Sequence, residues 1–135
     1  MIYSKGHIRA VKKLAKQYET ITLKEIEEKW KSERGKRASK VGVRGKIGLR
    51  VSNDLIGYGS NSTCGLCLSV NRDCCQCIYG FLSSPGEMIQ LDCLRGKSKK
   101  TYDAMNKAHT SKSLLKAFRA RAKFIRGTMR ERGIE

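Results

Sequence analysis

The stretch TSKSLLKAFRARAKFIRGTMR, residues 110–130, carries the clearest secondary-structure signal in the chain. Its apolar side chains recur at spacings of three and four, which is the repeat of one face of an amphipathic helix. They are Leu115, Phe118, Ala122, Ile125 and Met129. Thr110 or Ser111 can cap the first turn, because a hydroxyl accepts a hydrogen bond from an unpaired backbone N–H. The pattern predicts a helix from this cap to about Arg130.

A row of cations follows the same predicted helix. Lysines and arginines recur at spacings of four and three, so they share one face beside the apolar one. This C-terminal cationic row consists of Lys112, Lys116, Arg119, Lys123, Arg126 and Arg130. No acidic residue lies between Leu114 and Arg130, whereas ordinary soluble surfaces mix the two signs. The row therefore predicts a surface that binds a polyanion.

Charge is unevenly distributed along the 135 residues. The net charge is +17, and residues 1–50 carry 15 cations against 5 acids, residues 51–93 carry 1 against 4, and residues 94–135 carry 13 against 3. The length suits one compact domain. We predict three regions within it: a basic helical N-terminal region with a glycine-rich segment (1–54), a cysteine module (55–97) and basic C-terminal helices (98–135).

Three further helices are predicted upstream of the last one. His7–Tyr18 places apolar residues on one face, and Thr22 with Glu25 forms a capping box that starts a second helix to about Glu33. A short helix is expected over residues 99–109. The first two helices are compatible with a helix-turn-helix, but the acidic residues of the second suit a phosphate-lined groove poorly.

Residues 34–50, RGKRASKVGVRGKIGLR, interleave glycines with cations. Glycine lets backbone N–H groups approach an anion closely, and the cations supply the field. An ordered phosphate-contacting segment and a flexible, solvated linker both fit this composition. On the first interpretation the nucleic-acid contacts here are Arg37, Lys40, Arg44, Lys46 and Arg50.

The six cysteines lie at positions 64, 67, 74, 75, 77 and 93. Cys64–Cys67 and Cys74–Cys77 are two CxxC pairs, and such a pair lets two thiolates bind one zinc ion. The ligand set is either Cys64, Cys67, Cys74 and Cys77 or Cys64, Cys67, Cys77 and Cys93, with Cys75 as the non-ligand. Disulfides, free thiols and an iron–sulfur centre are the alternatives, and the spacing favours structural zinc over each of them.

Two short apolar segments, 78–82 and 88–91, flank Ser83-Ser84-Pro85-Gly86 and predict a small hairpin. The expected fold class is therefore an α+β, metal-stabilised small domain. It is mainly α, with about four helices, and carries a small zinc-knuckle and hairpin module.

The sequence contains few candidate catalytic residues. His7 and His109 lie on predicted helix surfaces, where solvent exposure is the expected state. No nucleophile elbow, HExxH motif or paired-carboxylate pattern occurs, and a closed four-thiolate zinc site has no open position for water. We therefore expect a protein that is not an enzyme.

No stretch approaches the roughly 20 apolar residues that span a bilayer, and the N-terminal residues lack an apolar signal core. We therefore expect no membrane partner and a cytoplasmic location.

The segment LIGYGSNSTCGLCLSVNRDCCQCIYG (55–80), the later Cys93 and TYDAMNKAHTSKSLLKAFRARAKFIR (101–126) resemble a group of small cysteine-containing proteins encoded by tailed bacteriophages. The shared features are a Gly-aromatic-Gly-Ser entry, two CxxC pairs, a later cysteine, a Thr-Tyr pair and a closing basic helix. The resemblance implies metal binding by Cys64, Cys67, Cys74 or Cys77, and Cys93, and a host-cell cytoplasm. The glycine-rich stretch before Leu55 departs from the helical lead-in expected of this group.

Together these patterns predict a zinc-stabilised, phage-type accessory protein that binds DNA or RNA through its basic flanks, mainly at phosphates. The alternative is a phage-encoded interaction protein that docks on a host complex such as a polymerase, ribosome or defence nuclease, and inhibits or redirects it.

Overall fold

The computed structural model describes residues 3–38, 47–57, 81–82, 90–91 and 96–134. Most of these residues belong to five helices. The helices are α1 (Lys5–Thr20), α2 (Leu23–Ala38), α3 (Ile47–Ile56), α4 (Gly96–Asn106) and α5 (Ser111–Glu131). Two short strands, β1 (Phe81–Leu82) and β2 (Gln90–Leu91), pair antiparallel, with Phe81 opposite Leu91 and Leu82 opposite Gln90.

The predicted α+β fold class, with about four helices and a small hairpin module, is wrong, while the cysteines of the expected zinc knuckle lie outside the described residues. The described part of the chain is predominantly helical, and its only strand pairing is two residues long on each side, too short to form a layer of the fold. Within the same residues no three His, Cys, Asp or Glu side chains cluster so that they could hold a metal ion. The architecture is therefore a helical assembly whose core is formed between helices.

Local capping sets where the first and last helices begin. The Ser4 hydroxyl accepts a hydrogen bond from the N–H of His7 at 3.1 Å and so caps α1. Thr110 and Ser113 form a reciprocal capping box at the start of α5, each side chain accepting from the other's N–H at 3.1 Å. Both helices were predicted from the sequence, and α1 extends beyond the predicted His7–Tyr18 at each end.

Helix α5 lies at the centre of the packing, where it contacts α1, α2 and α4, while α3 packs on α2 and α4. The buried apolar residues come from all five helices and form one cluster. Tyr18 of α1 and Phe118 of α5 meet inside it with ring centroids 5.3 Å apart. One shared core thus joins helices from both ends of the sequence.

The buried face of α5 is rotated from the predicted apolar one. Leu114, Ala117 and Thr128 are buried, whereas Leu115 is only half-buried. Because α5 contacts three neighbouring helices, small and polar side chains lie within its covered surface as well as the large apolar ones. Periodicity of large apolar residues alone could not show this wider contact.

Helix α3 occupies residues that we expected to be part of a glycine-rich loop or anion-binding segment. Gly48 is the reason this segment packs: a Cβ built on it would lie 2.6 Å from the Met105 carbonyl oxygen and 3.2 Å from that of Ala108. The missing side chain allows α3 to approach the C-terminal end of α4 closely. The expected departure from a helical lead-in before Leu55 is therefore not observed, since α3 runs through this position.

Replacing Gly48 with alanine is expected to destabilise the fold, because the Met105 carbonyl oxygen is backbone and cannot turn away. Overpacking of this kind costs about 1–3 kcal/mol. Gly127→Ala is the matched control, since nothing lies within 4 Å of its Cβ position, and it should stabilise α5 by about 0.5–1 kcal/mol. Urea unfolding of both variants measures the difference; equal effects would contradict the close α3–α4 packing.

Candidate nucleic-acid interface

The C-terminal cationic row lies on α5, and the structure separates its members into two groups. Lys112, Lys116, Lys123 and Arg130 are exposed to solvent. They span about 27 Å along the helix at a rise of 1.5 Å per residue. Because the buried residues of α5 face the other helices, these four cations project away from the core. This is the surface that the sequence predicts for polyanion binding.

Arg119 belongs to the row but binds the end of α1. Its guanidinium donates hydrogen bonds to the carbonyl oxygens of Tyr18 at 2.6 Å and Ile21 at 2.7 Å. The last carbonyls of a helix lack partners within the helix, and the negative end of its dipole attracts a cation. Arg119 therefore caps α1 from a neighbouring helix, and its guanidinium is engaged within the protein.

Arg126 is the second member of the row that contacts α1. Its Nη2 lies 2.7 Å from Oε1 of Glu19, and its Nε donates to the other carboxylate oxygen at 3.1 Å. These hydrogen bonds from Arg126 lower the pKa of Glu19, so that the carboxylate stays ionised. The positive charge of Arg126 is therefore largely neutralised by the Glu19 carboxylate.

Arg121 is the remaining cation of α5. It falls outside the row, and it is buried, with 1% of its surface exposed. Its guanidinium donates to the Thr101 hydroxyl at 2.6 Å and lies over the Phe124 ring, 5.4 Å from the centroid. Arg121 therefore links α5 to α4.

Of the five predicted nucleic-acid contacts in the N-terminal region, the structure describes the side chain of only one. Arg50 lies on α3 and is exposed. Arg37 lies in α2, but its side chain is outside the described part, and Lys40, Arg44 and Lys46 are outside the described residues altogether. A nucleic-acid contact by any of the five remains a prediction.

The predicted zinc ligands are all cysteines of the segment 64–93. Cys64, Cys67, Cys74, Cys77 and Cys93 all lie outside the described residues, as does Cys75. The zinc site therefore stays a prediction from cysteine spacing.

One of the two histidines differs from its expected surface position. His109 is exposed, but His7 is fully buried at the start of α1, where its ring lies 5.5 Å from that of Tyr3. Desolvation by burial lowers the pKa of His7, which favours its neutral form. The expectation of an exposed His7 was wrong because Tyr3, which precedes the predicted helix, is itself buried and packs beside it.

Across the described ranges, no helix is both long and apolar enough to cross a membrane. Comparisons with protein-family models, with curated proteins and with solved structures found no match. The resemblance to cysteine-containing phage proteins therefore stays a prediction.

Proposed function

We propose that this protein binds nucleic acid mainly through phosphate contacts made by the four exposed members of the C-terminal cationic row. The observation that carries the proposal is the exposure of Lys112, Lys116, Lys123 and Arg130 on one helix whose only acid is Glu131, in its last turn. A net charge of +17 adds a long-range field that draws a polyanion toward the surface.

The exposed row favours backbone binding over reading of bases. Base edges are typically read by arginine forks or by amide side chains, whereas lysine acts as a point charge on a flexible stem. Arg119 and Arg126 are engaged with α1, so lysines make up most of the exposed row. Binding with little sequence preference is the expected behaviour.

A structural zinc ion in the cysteine module is part of the same proposal. Cys64 and Cys67, with two of Cys74, Cys77 and Cys93, would hold the ion in a closed tetrahedral site. Such a site stabilises the fold and leaves no coordination position for catalysis. The proposed protein is therefore a zinc-stabilised accessory factor, possessing no enzymatic role.

A salt titration tests the proposal. Fluorescence anisotropy of a labelled oligonucleotide should show a log affinity that falls linearly with log salt concentration. Each neutralised phosphate contributes a slope of about −0.9 on duplex DNA, so four contacts give about −3.6 or steeper.

A slope near zero, or no binding at low salt, would contradict the proposal. The same cations would then be available to an acidic surface of a host protein, the alternative function. A pull-down from nuclease-treated lysate distinguishes the two, since a partner captured without nucleic acid supports the alternative.

A further inference from the structure

Helix α1 carries a second cationic surface that the candidate contacts above do not include. Five of its side chains are lysine or arginine, all are exposed, and the first acid of the chain is Glu19 near the helix end. This α1 cationic face consists of Lys5, Arg9, Lys12, Lys13 and Lys16.

The α1 cationic face points directly away from the core. His7, Val11 and Tyr18 are among the buried residues of α1, and all of these cluster on one side of the helix. At about 100° per residue, the five cations fall on the opposite side, across an arc of about 100°. They extend about 17 Å along the helix at 1.5 Å per residue. A ligand could therefore reach all five without disturbing the packing.

The α1 cationic face and the C-terminal cationic row border the same contact between helices. The Glu19–Arg126 ion pair joins α1 to α5. Lys16 lies one turn before Glu19, while Lys123 and Arg130 lie one turn to either side of Arg126. Cations from both helices thus flank one ion pair, and together they form a surface two helices wide.

The aromatic residues indicate which kind of nucleic acid this surface suits. Proteins that bind single strands usually stack bases on exposed aromatic rings. Among the residues whose side chains the structure describes, no Phe, Tyr or Trp is exposed; Tyr3, Tyr18, Trp30 and Phe118 are buried, and Tyr102 and Phe124 are half-buried. The surface formed by the cations of α1 and α5 is therefore charged over a wide area, and the described residues offer it no exposed aromatic ring on which a base could stack.

We infer that the α1 cationic face and the C-terminal cationic row form one surface that binds the two phosphate backbones of a nucleic-acid double helix. This inference rests on the proposed function and specifies its ligand. Two adjacent cationic helices match a ligand with two anionic strands, and phosphate contacts do not require base stacking.

Glu19 lowers the positive charge of this surface. Its carboxylate forms an ion pair with Arg126, which lies between the two groups of cations. Both side chains are partly exposed, at 40% for Glu19 and 38% for Arg126. An exposed pair of this kind adds little to folding stability. Glu19→Gln therefore removes a negative charge from the surface and releases Arg126 to a phosphate without unfolding the protein.

The test compares binding of one 20-base-pair DNA duplex, the RNA duplex of the same sequence and the matching single strands to the full chain. We expect both duplexes, or one of them, to bind at least about tenfold tighter than its strands. Replacing Arg9, Lys13 and Lys16 with alanine should lower duplex affinity by about two to three orders of magnitude at 0.1 M salt, and reduce the salt slope by about three. Glu19→Gln should raise duplex affinity by about tenfold, as one added phosphate contact would.

A matched control removes the same number of cations from α2, where Lys24, Lys29 and Lys31 lie among acidic residues. Their replacement should change affinity much less than the α1 variant does. Single strands that bind as tightly as duplexes, or an α1 variant that behaves like this control, would overturn the inference while leaving the proposed function standing. Failure of the wild-type protein to bind any of the four nucleic acids would instead refute the proposed function itself.

Discussion

Replacing Lys112, Lys116, Lys123 and Arg130 together with alanine is expected to weaken nucleic-acid binding by about three orders of magnitude at 0.1 M salt. Each phosphate contact contributes about 0.9 decades of affinity at this salt concentration through counterion release, so that four lost contacts account for the drop. The substituted positions are exposed, and alanine is the best helix former, so α5 should keep its helicity. Anisotropy titrations with one oligonucleotide measure the effect.

The control for this variant removes the same charge from elsewhere in the molecule. Lys24, Lys29, Lys31 and Lys99 are suitable, since Lys29 already pairs with Asp54 and Lys99 with Asp103. Their replacement lowers the net charge equally but should cost less than about tenfold in affinity, as only the long-range field changes. Equal losses in the two variants would mean that total charge, rather than the α5 surface, determines binding.

Purified protein is expected to contain about one zinc ion per chain, and Cys64→Ser or Cys67→Ser should abolish this content. Loss of the ion should also lower the free energy of unfolding, because a ligand that binds only the folded state stabilises it. At free zinc about 1,000-fold above the dissociation constant, that loss is about 4 kcal/mol. Elemental analysis gives the stoichiometry, and thermal unfolding with and without a chelator gives the stability.

Cys75→Ser is the internal control for the zinc prediction. It removes a thiol from the same segment, yet Cys75 is the expected non-ligand, so the zinc content should stay at about one per chain. Metal-free wild-type protein, or a Cys75 variant that loses zinc as readily as the Cys64 variant, would contradict the proposed ligand sets.

Sequence patterns located the features that depend on short-range repeats. The helix at residues 111–131 and its Thr110 cap followed from apolar spacing and a hydroxyl at the right position. Arg121 lies outside that spacing, and its burial in the core was not predicted. Helical periodicity is a local property, and it is visible in a single sequence.

Features that depend on contacts between distant segments were missed. Nothing local distinguishes Gly48 from the other glycines of the basic segment, since its role depends on the approach of the Met105 carbonyl from α4. Likewise, Arg119 looks like every other member of the cationic row until α1 is placed beside it. Of the predicted hairpin, the described residues show only the two-residue pairing of Phe81–Leu82 with Gln90–Leu91, and the described core lies between helices instead.

The bonds from Arg119 to the end of α1 mean that neighbouring arginines and lysines on α5 serve different purposes. Truncating Arg119 exposes carbonyl groups of another helix, whereas truncating Lys116 or Lys123 removes only solvent-facing charge. An alanine scan along this helix would therefore mix folding defects with binding defects at alternating turns. Only a scan that scores melting temperature alongside affinity can assign each cation to architecture or to recognition.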